Sequence, residues 1–268
     1  MRRERLVCAL ILLSCPGCLG AQTASQSVPE ANPARPTVST PATLPPVGYV
    51  QFESGMLGAK DSPEFSTRLG VNQVTKLAVR SRLELFVQTE PLVHSTTGTD
   101  KQIHEGDAFA GVQGILLPAS GTRPTIAVSY IRRLHESSAP ELDIGTFRQS
   151  GVILISGEIS GFHFDVNGIV SEQAQRGVRR AQYGQTLSIS HPFKGLTISG
   201  EVWHFSQPFL KGSAAGNLWA ASYPIRRNLI IDAGVNRGLT GTSTAWEGFA
   251  GFTYLLPHRL WKPRHEGR

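Results

Sequence analysis

In the stretch FHFDVNGIVS (162–171), Phe162, Phe164, Val166 and Gly168 alternate with His163, Asp165 and Asn167. A period of two puts successive side chains on opposite faces of an extended chain, so one face is apolar and the other polar. A strand buried on both faces would not carry that polar row. The pattern recurs at Leu196, Ile198, Gly200 and Val202 against Thr197, Ser199 and Glu201. It recurs again at Leu229, Ile231, Ala233 and Val235 against Asp232, Gly234 and Asn236, with Ile230 the exception. Leu83, Leu85 and Val87 alternate with Arg82, Glu84 and Gln88, while Phe86 interrupts the polar row.

Extended along the chain, this reading predicts twelve strands, at about 48–57, 65–78, 82–92, 107–117, 123–134, 149–159, 162–171, 180–191, 195–205, 217–224, 228–237 and 245–255. Most approach the ~9–11 residues that a tilted transmembrane strand needs. Each odd-numbered connection is expected to be longer than the even one after it. Short ones read Ser160-Gly161, Pro192-Phe193-Lys194 and Ile225-Arg226-Arg227; long ones are polar and rich in Gly, Ser and Thr, as in HSTTGTDKQIHEG. A soluble sandwich has no reason to keep its long loops at one end. An outer-membrane barrel does, with short periplasmic turns and longer extracellular loops. In hydrocarbon every backbone donor and acceptor needs a protein partner, so the sheet must close on itself. The fold expected is therefore all-β, an antiparallel up-and-down transmembrane β-barrel over 48–255. Tyr49, Tyr130, Tyr183, Trp203, Trp219, Tyr223, Trp246, Tyr254 and Trp261 lie near segment ends, where some would form interfacial girdles. A soluble barrel that buries these rings as core is the competing reading.

The totals agree with this. Of 268 residues, 40% are hydrophobic and 17% charged, against the roughly 25% charged of an ordinary soluble protein. With 28 Gly, glycine is about 10% of the chain, above the usual ~7%. Disordered, coiled-coil and collagen classes are excluded. So is a polytopic helical membrane protein, because no second apolar run approaches the ~20 residues of a spanning helix. The net charge of +6 sits in the ends: residues 48–255 carry 18 Lys and Arg against 17 Asp and Glu. A nucleic-acid partner would want a basic face on the folded part, so none is expected.

Arg2, Arg3 and Arg5 precede the apolar run Leu6–Leu13, and small residues follow at Cys18 and Gly20. This is the pattern of a bacterial secretory signal, residues 1–20, cut after Gly20. Two alternatives are a lipoprotein signal, since Leu12-Leu13-Ser14-Cys15 resembles a lipobox with Cys15 lipidated, and an uncut anchor. All three cysteines (Cys8, Cys15, Cys18) fall in the segment, so a mature chain cut there has no disulfide and no thiol chemistry. Residues 21–47 are rich in Pro, Ser, Thr and Ala without apolar periodicity; they read as a disordered or extended linker. Residues 256–268 form a basic tail.

Several segments carry a family resemblance: GYVQFESG (Gly48–Gly55), TKLAVRSRLELFV (Thr75–Val87), EGDAFAGVQGILLP (Glu105–Pro118) and NLIIDAGVNRGLTG (Asn228–Gly241) returning through WEGFAGFTYL (Trp246–Leu255). In that order they resemble the outer-membrane transporter-like β-barrels grouped as the "MetA-pathway of phenol degradation" family. The resemblance spans 48–255, and its most specific piece is the last hairpin. It implies a signal-bearing barrel in the bacterial outer membrane, of a kind often labelled a transporter. The function expected is a channel or transporter for small solutes, hydrophobic or aromatic ones among them; the alternative is a structural or binding barrel with a filled lumen and no transport. The implied partners are outer-membrane lipid and the barrel-assembly machinery. One departure is the tail, because many such barrels end on the aromatic residue of the last strand.

Enzyme chemistry finds no support. The eight histidines show no metal spacing, and no GxSxG elbow, Walker loop or His-x-Ser-Asn run is present. No catalytic residue, metal or cofactor is expected. His163, His191 and His204 read as lumenal or interfacial. The candidate functional residues are charged side chains on predicted strands: Arg68, Lys76, Arg82, Glu84, Glu158, Asp165, Glu201, Asp232 and Glu247. On the lipid face an Arg or Lys costs ~2–4 kcal/mol at midplane, so these groups are expected to face the lumen. There they either line a pore and set its selectivity or pair off inside a filled barrel. A twelve-stranded barrel falls between the sizes that fill and the sizes that leave a channel, which leaves both readings open.

Overall fold

The computed structural model describes residues 29–140, 142, 147–175, 177–210 and 212–261; the expected signal segment lies outside them. Among the described residues thirteen strands form: β1 (Val50–Lys60), β2 (Thr67–Arg80), β3 (Leu83–Thr97), β4 (Asp100–His104), β5 (Ala108–Leu117), β6 (Thr125–His135), β7 (Phe147–Ile159), β8 (Phe162–Gln175), β9 (Val178–Phe193), β10 (Leu196–Ser206), β11 (Ser213–Arg226), β12 (Leu229–Gly238) and β13 (Trp246–Leu255). Twelve of them, all but β4, pair antiparallel in chain order, and β1 pairs with β13 from Gln51↔Leu255 to Lys60↔Trp246. These twelve strands thus close into a barrel, and β4 extends it by pairing with β3. Each expected strand is present, within a few residues of its expected ends.

Local chemistry accounts for the turns. Ser160 and Gly161 both have positive φ (52° and 82°), as do Lys194 and Gly195 (50° and 86°). Two consecutive positive φ values make the hairpin turn whose twist matches that of the flanking strands, and glycine takes the second place without strain.

The alternation sorts faces as expected. Leu85, Val87, Val128, Ile153, Val170, Ile189, Ile198, Val202, Ile231 and Val235 are exposed on the outer wall. Gln51, Glu53, Gln113, Ser129, Asn167, Thr186 and Asn236 are buried on the inner one. Of the aromatic positions, Tyr130, Tyr183, Trp219, Tyr223, Trp246 and Trp261 face outward, whereas Tyr49 and Trp203 are buried. Trp203 points inward because its neighbours in the strand, Val202 and His204, take the outer face, and its Nε1 donates to Asn236 Oδ1 at 2.8 Å.

Two connections depart from the expectation. The long loop expected at 172–179 is a tight hairpin: β8 and β9 stay paired to Gln175↔Val178. Likewise β3 continues to Thr97 and folds back as β4. Backbone pairing does not need an apolar face, so ladders outrun the alternation that marks the membrane-facing part.

The larger departure is residues 29–47. They carry no regular secondary structure, but they are not a disordered linker. They enter the barrel at its short-turn end, where Ala31 N donates to Arg227 O at 2.8 Å, and turn back so that Asn32 Nδ2 reaches Thr43 Oγ1 at 3.2 Å. They leave at the same end through Gly48, whose N donates to Ala78 O. Three small apolar clusters form inside the barrel, and each includes this segment: Ala31 with Tyr49, Ile230 and Leu255; Ala42 with Ala127 and Leu154; and Val38 against Trp203, Phe205 and Ala214. Composition alone predicted disorder because the segment cannot bury a core by itself. Inside a polar lumen it needs only to satisfy its amides.

Candidate functional site: a lumen filled by the chain's own segment

Inward side chains of the barrel wall bind the backbone of the segment strand by strand. On β1, Gln51 Oε1 accepts from Asn32 N at 2.8 Å and its Nε2 donates to Asn32 O at 2.7 Å. Glu53 Oε1 accepts from Ala34 N at 3.3 Å. On β10, Glu201 takes Val38 N and Ser39 N at 2.7 Å each, and Ser39 Oγ at 2.6 Å. On β8, Asn167 accepts from Thr40 N at 2.7 Å and donates to Thr40 O at 2.9 Å. Ser156 on β7 accepts from Ala42 N at 2.7 Å, and Gln113 on β5 donates to Pro41 O at 3.0 Å. Buried amides must be paired, and here wall side chains supply the partners that a strand or helix would otherwise provide.

One side chain of the segment is held as tightly. The Arg35 guanidinium donates through Nε and Nη2 to the Asp232 carboxylate at 3.1–3.3 Å. The Asp232 side chain is 2% exposed. Arg35 Cζ also lies 5.9 Å from the centroid of the Phe249 ring.

Of the nine charged candidates, Arg68, Lys76, Glu84, Asp165, Glu201 and Asp232 are buried on the inner wall. Glu247 is half-buried and shares its face with Phe249 and Thr253. Arg82 is a correction: it sits exposed in the β2–β3 turn. Glu158 is the other. It is exposed at the short-turn rim, where its carboxylate meets His163 Nδ1 at 2.7 Å. Both lie where the hairpin leaves the barrel body, so no wall encloses them.

The buried groups separate into two levels. Toward the short turns, Lys76 Nζ bridges to Glu53 at 2.6 Å, and Ser156 Oγ donates to Asp165 at 2.5 Å. Toward the long loops, Arg68 pairs with Glu90 at 2.5 Å and its Nε donates to Pro140 O at 3.0 Å. Residues 136–140, after β6, therefore fold across that mouth, fastened also by Ser137 N, which donates to Asp107 at 2.6 Å. Between these loops lies a cavity of about 300 Å3 lined in part by Glu64, Ser138, Gln173, Gln207 and Phe209. A second, of about 280 Å3, lies at the other end beside the segment, lined in part by Arg35, His163, Asp165, Ser188, Ser199 and Ser222. Among the described residues no group of three metal-ligating side chains converges.

Sequence reasoning missed Glu53, Gln51, Asn167 and Ser156 as functional residues, and missed Arg35. The polar row 51 and 53 in GYVQFESG was a usable signal for the first two. Nothing local marks Arg35, because its partner lies 197 positions away.

No known family profile matches the sequence, and no curated protein matches it. The fold is similar to solved outer-membrane barrels. An outer-membrane channel from Pseudomonas putida F1 aligns with a TM-score of 0.60 at 10% identity, covering 85% of this chain and all of that one. The NanC porin aligns with a TM-score of 0.53 at 10% identity, covering 76% of this chain and 99% of the porin. At that identity the likeness establishes the architecture: a closed antiparallel β-barrel of the outer-membrane kind.

Proposed function

We propose that this protein is a bacterial outer-membrane channel for small solutes, closed at rest by its own residues 29–47. The observation that carries the reading is how the lumen is filled. The wall contributes many inward polar side chains between small apolar clusters, and the occupant is a loop that enters and leaves at one end and shares no strand pairing with the wall. Withdrawing the loop breaks hydrogen bonds to wall side chains and to a turn, with three small apolar contacts, and leaves every strand–strand ladder intact. What remains is a water-compatible conduit inside an apolar cylinder. The short-turn end, where the chain enters, faces the periplasm, and lipid covers the outer wall after the assembly machinery has inserted it. Aromatic solutes are among the cargo in this reading, because the inward rings of Trp203, Phe205 and Phe249 offer them flat contacts. The lumenal charges in this reading set selectivity.

A second reading, a filled barrel that passes nothing, is favoured by the number of wall strands that grip the loop and by the fold of 136–140 across the other mouth. Planar-bilayer recording separates the two. The full chain should show rare or small openings, and a variant lacking 29–47 should conduct steadily. A folded, inserted deletion variant that stays silent would overturn the channel.

A further inference from the structure

The surroundings of Arg35 are more specific than closing a lumen requires. Asp232, Gly251 and Gly55 stand directly opposite one another across three adjacent strands. A Cβ on Gly55 would lie 2.5 Å from Arg35 Nη2, and one on Gly251 2.8 Å from Arg35 Nε. The two glycines thus leave a slot of guanidinium thickness against the wall. Asp232 closes one side with a forked acceptor that matches two N–H groups of a guanidinium. The Phe249 ring lies near the cation, where the ring quadrupole attracts it.

A second observation points the same way. Glu53 and Glu84 are 1% and 3% exposed, and on each the Oε2 atom has no hydrogen-bond partner within the protein. This level of the lumen holds the carboxyl groups of Glu53, Glu84, Asp165, Glu201 and Asp232, with Lys76 as the wall's buried amine. It is short of donors even with Arg35 in place. The cavity of about 280 Å3 beside the segment has Arg35 in its lining.

We propose that Asp232, Phe249, Gly55 and Gly251 form a binding site for small organic cations bearing a guanidinium group, and that Arg35 occupies it as a built-in stand-in for the solute. The inference rests on the reading of 29–47 as a removable closure. Such a solute competes with Arg35 for Asp232, so the cargo itself loosens the loop. The remaining carboxyl groups then give the conduit a preference for cations over anions.

Methylguanidinium is the probe, with methylammonium as control. Calorimetry on the barrel lacking 29–47, its fold checked by heat-modifiable migration, should show methylguanidinium binding that Asp232→Asn weakens roughly tenfold or more, as loss of a charge-assisted pair does. No binding, or equal binding to the Asp232→Asn form, overturns the site. Should the deletion variant fail to fold, the full chain with Arg35→Ala takes its place. There methylguanidinium should raise the unfolding temperature, methylammonium should do so less, and adding Asp232→Asn should abolish the rise. Absence of a rise is equally decisive against the site. A folded deletion variant that binds methylguanidinium but does not conduct would sink the channel reading and leave the site standing.

Discussion

At the scale of single residues, the lumen is governed by what each polar group would lose if its partner left. Glu201 is the clearest case, because one carboxylate receives two backbone amides and a hydroxyl from the segment. Hydrogen bonds to charged groups are worth about 1.5–3 kcal/mol each, and a buried amide left unpaired costs about 1–3 kcal/mol. Glu201→Ala should therefore destabilise the closed loop by about 3 kcal/mol, which is roughly a hundredfold in the open-to-closed ratio. Single-channel open probability measures this directly, and an unchanged value would mean that the loop is not the gate. Glycine is selected on this wall for space. Gly216 lies under Trp203: an added Cβ would meet the indole at 2.3 Å and the Arg237 carbonyl at 2.7 Å. Trp203 is itself tied to Asn236, so it cannot swing away without cost. Gly216→Ala should lower stability by about 1–3 kcal/mol, the usual penalty of overpacking, read from the midpoint of heat-modifiable migration.

At the scale of elements, the two faces of one strand obey opposite rules. In β7, Ile153 is exposed on the outer wall while Leu154 beside it is buried against Ala42 of the segment. Ile153→Arg should cost roughly 2–4 kcal/mol in a bilayer if it sits near midplane, seen as a lowered unfolding midpoint in lipid vesicles. The same variant in detergent micelles, which deform around a charge, should lose less. Polar side chains do occur outside, and one linked group lies in the halves of strands toward the long loops: Tyr130 Oη donates to Gln149, Gln149 donates to Glu172, and Arg179 pairs with Glu172. The β8–β9 hairpin beyond them is a paired ribbon that extends past the apolar band, and this is why a loop was expected where a strand forms. Its tip should face outside and the β7–β8 turn inside. A cysteine at Gln175 should react with a membrane-impermeant maleimide on intact cells, and one at Ser160 only after the outer membrane is permeabilised. The reverse labelling would invert the proposed topology.

At the scale of the whole molecule, a closed cylinder removes the edge problem and creates an interior problem in its place. Twelve strands enclose more room than their own inward side chains fill. Small inward residues such as Ser156, Ser188, Ser199 and Ala127 leave space, and the chain occupies it with its own irregular segment. The loop is bound along its length by side chains on β1, β5, β7, β8, β9, β10 and β12. Closure by the loop is therefore distributed. Removing any one contact should loosen it, and removing the segment should leave a barrel that still migrates as a folded species on an unheated gel. A deletion variant lost from the membrane would instead show that the segment is needed for assembly.

By itself the sequence determined the strands, their order, the sorting of their faces and the inward position of most buried charges. Each of these follows from a local period of two and from the high cost of unpaired backbone or charge in lipid, so a window of ten residues such as 162–171 carries the information. Tertiary structure alone decided what fills the lumen. Residues 29–47 have no periodicity of their own, and their order comes from side chains far away in the chain, such as Asp232, 197 positions from Arg35, and Arg259, 212 positions from Val47. The same limit explains Arg82 and Glu158. Alternation assigned them to the polar row of a strand, but height along the barrel, which only the closed sheet defines, placed both at its rim.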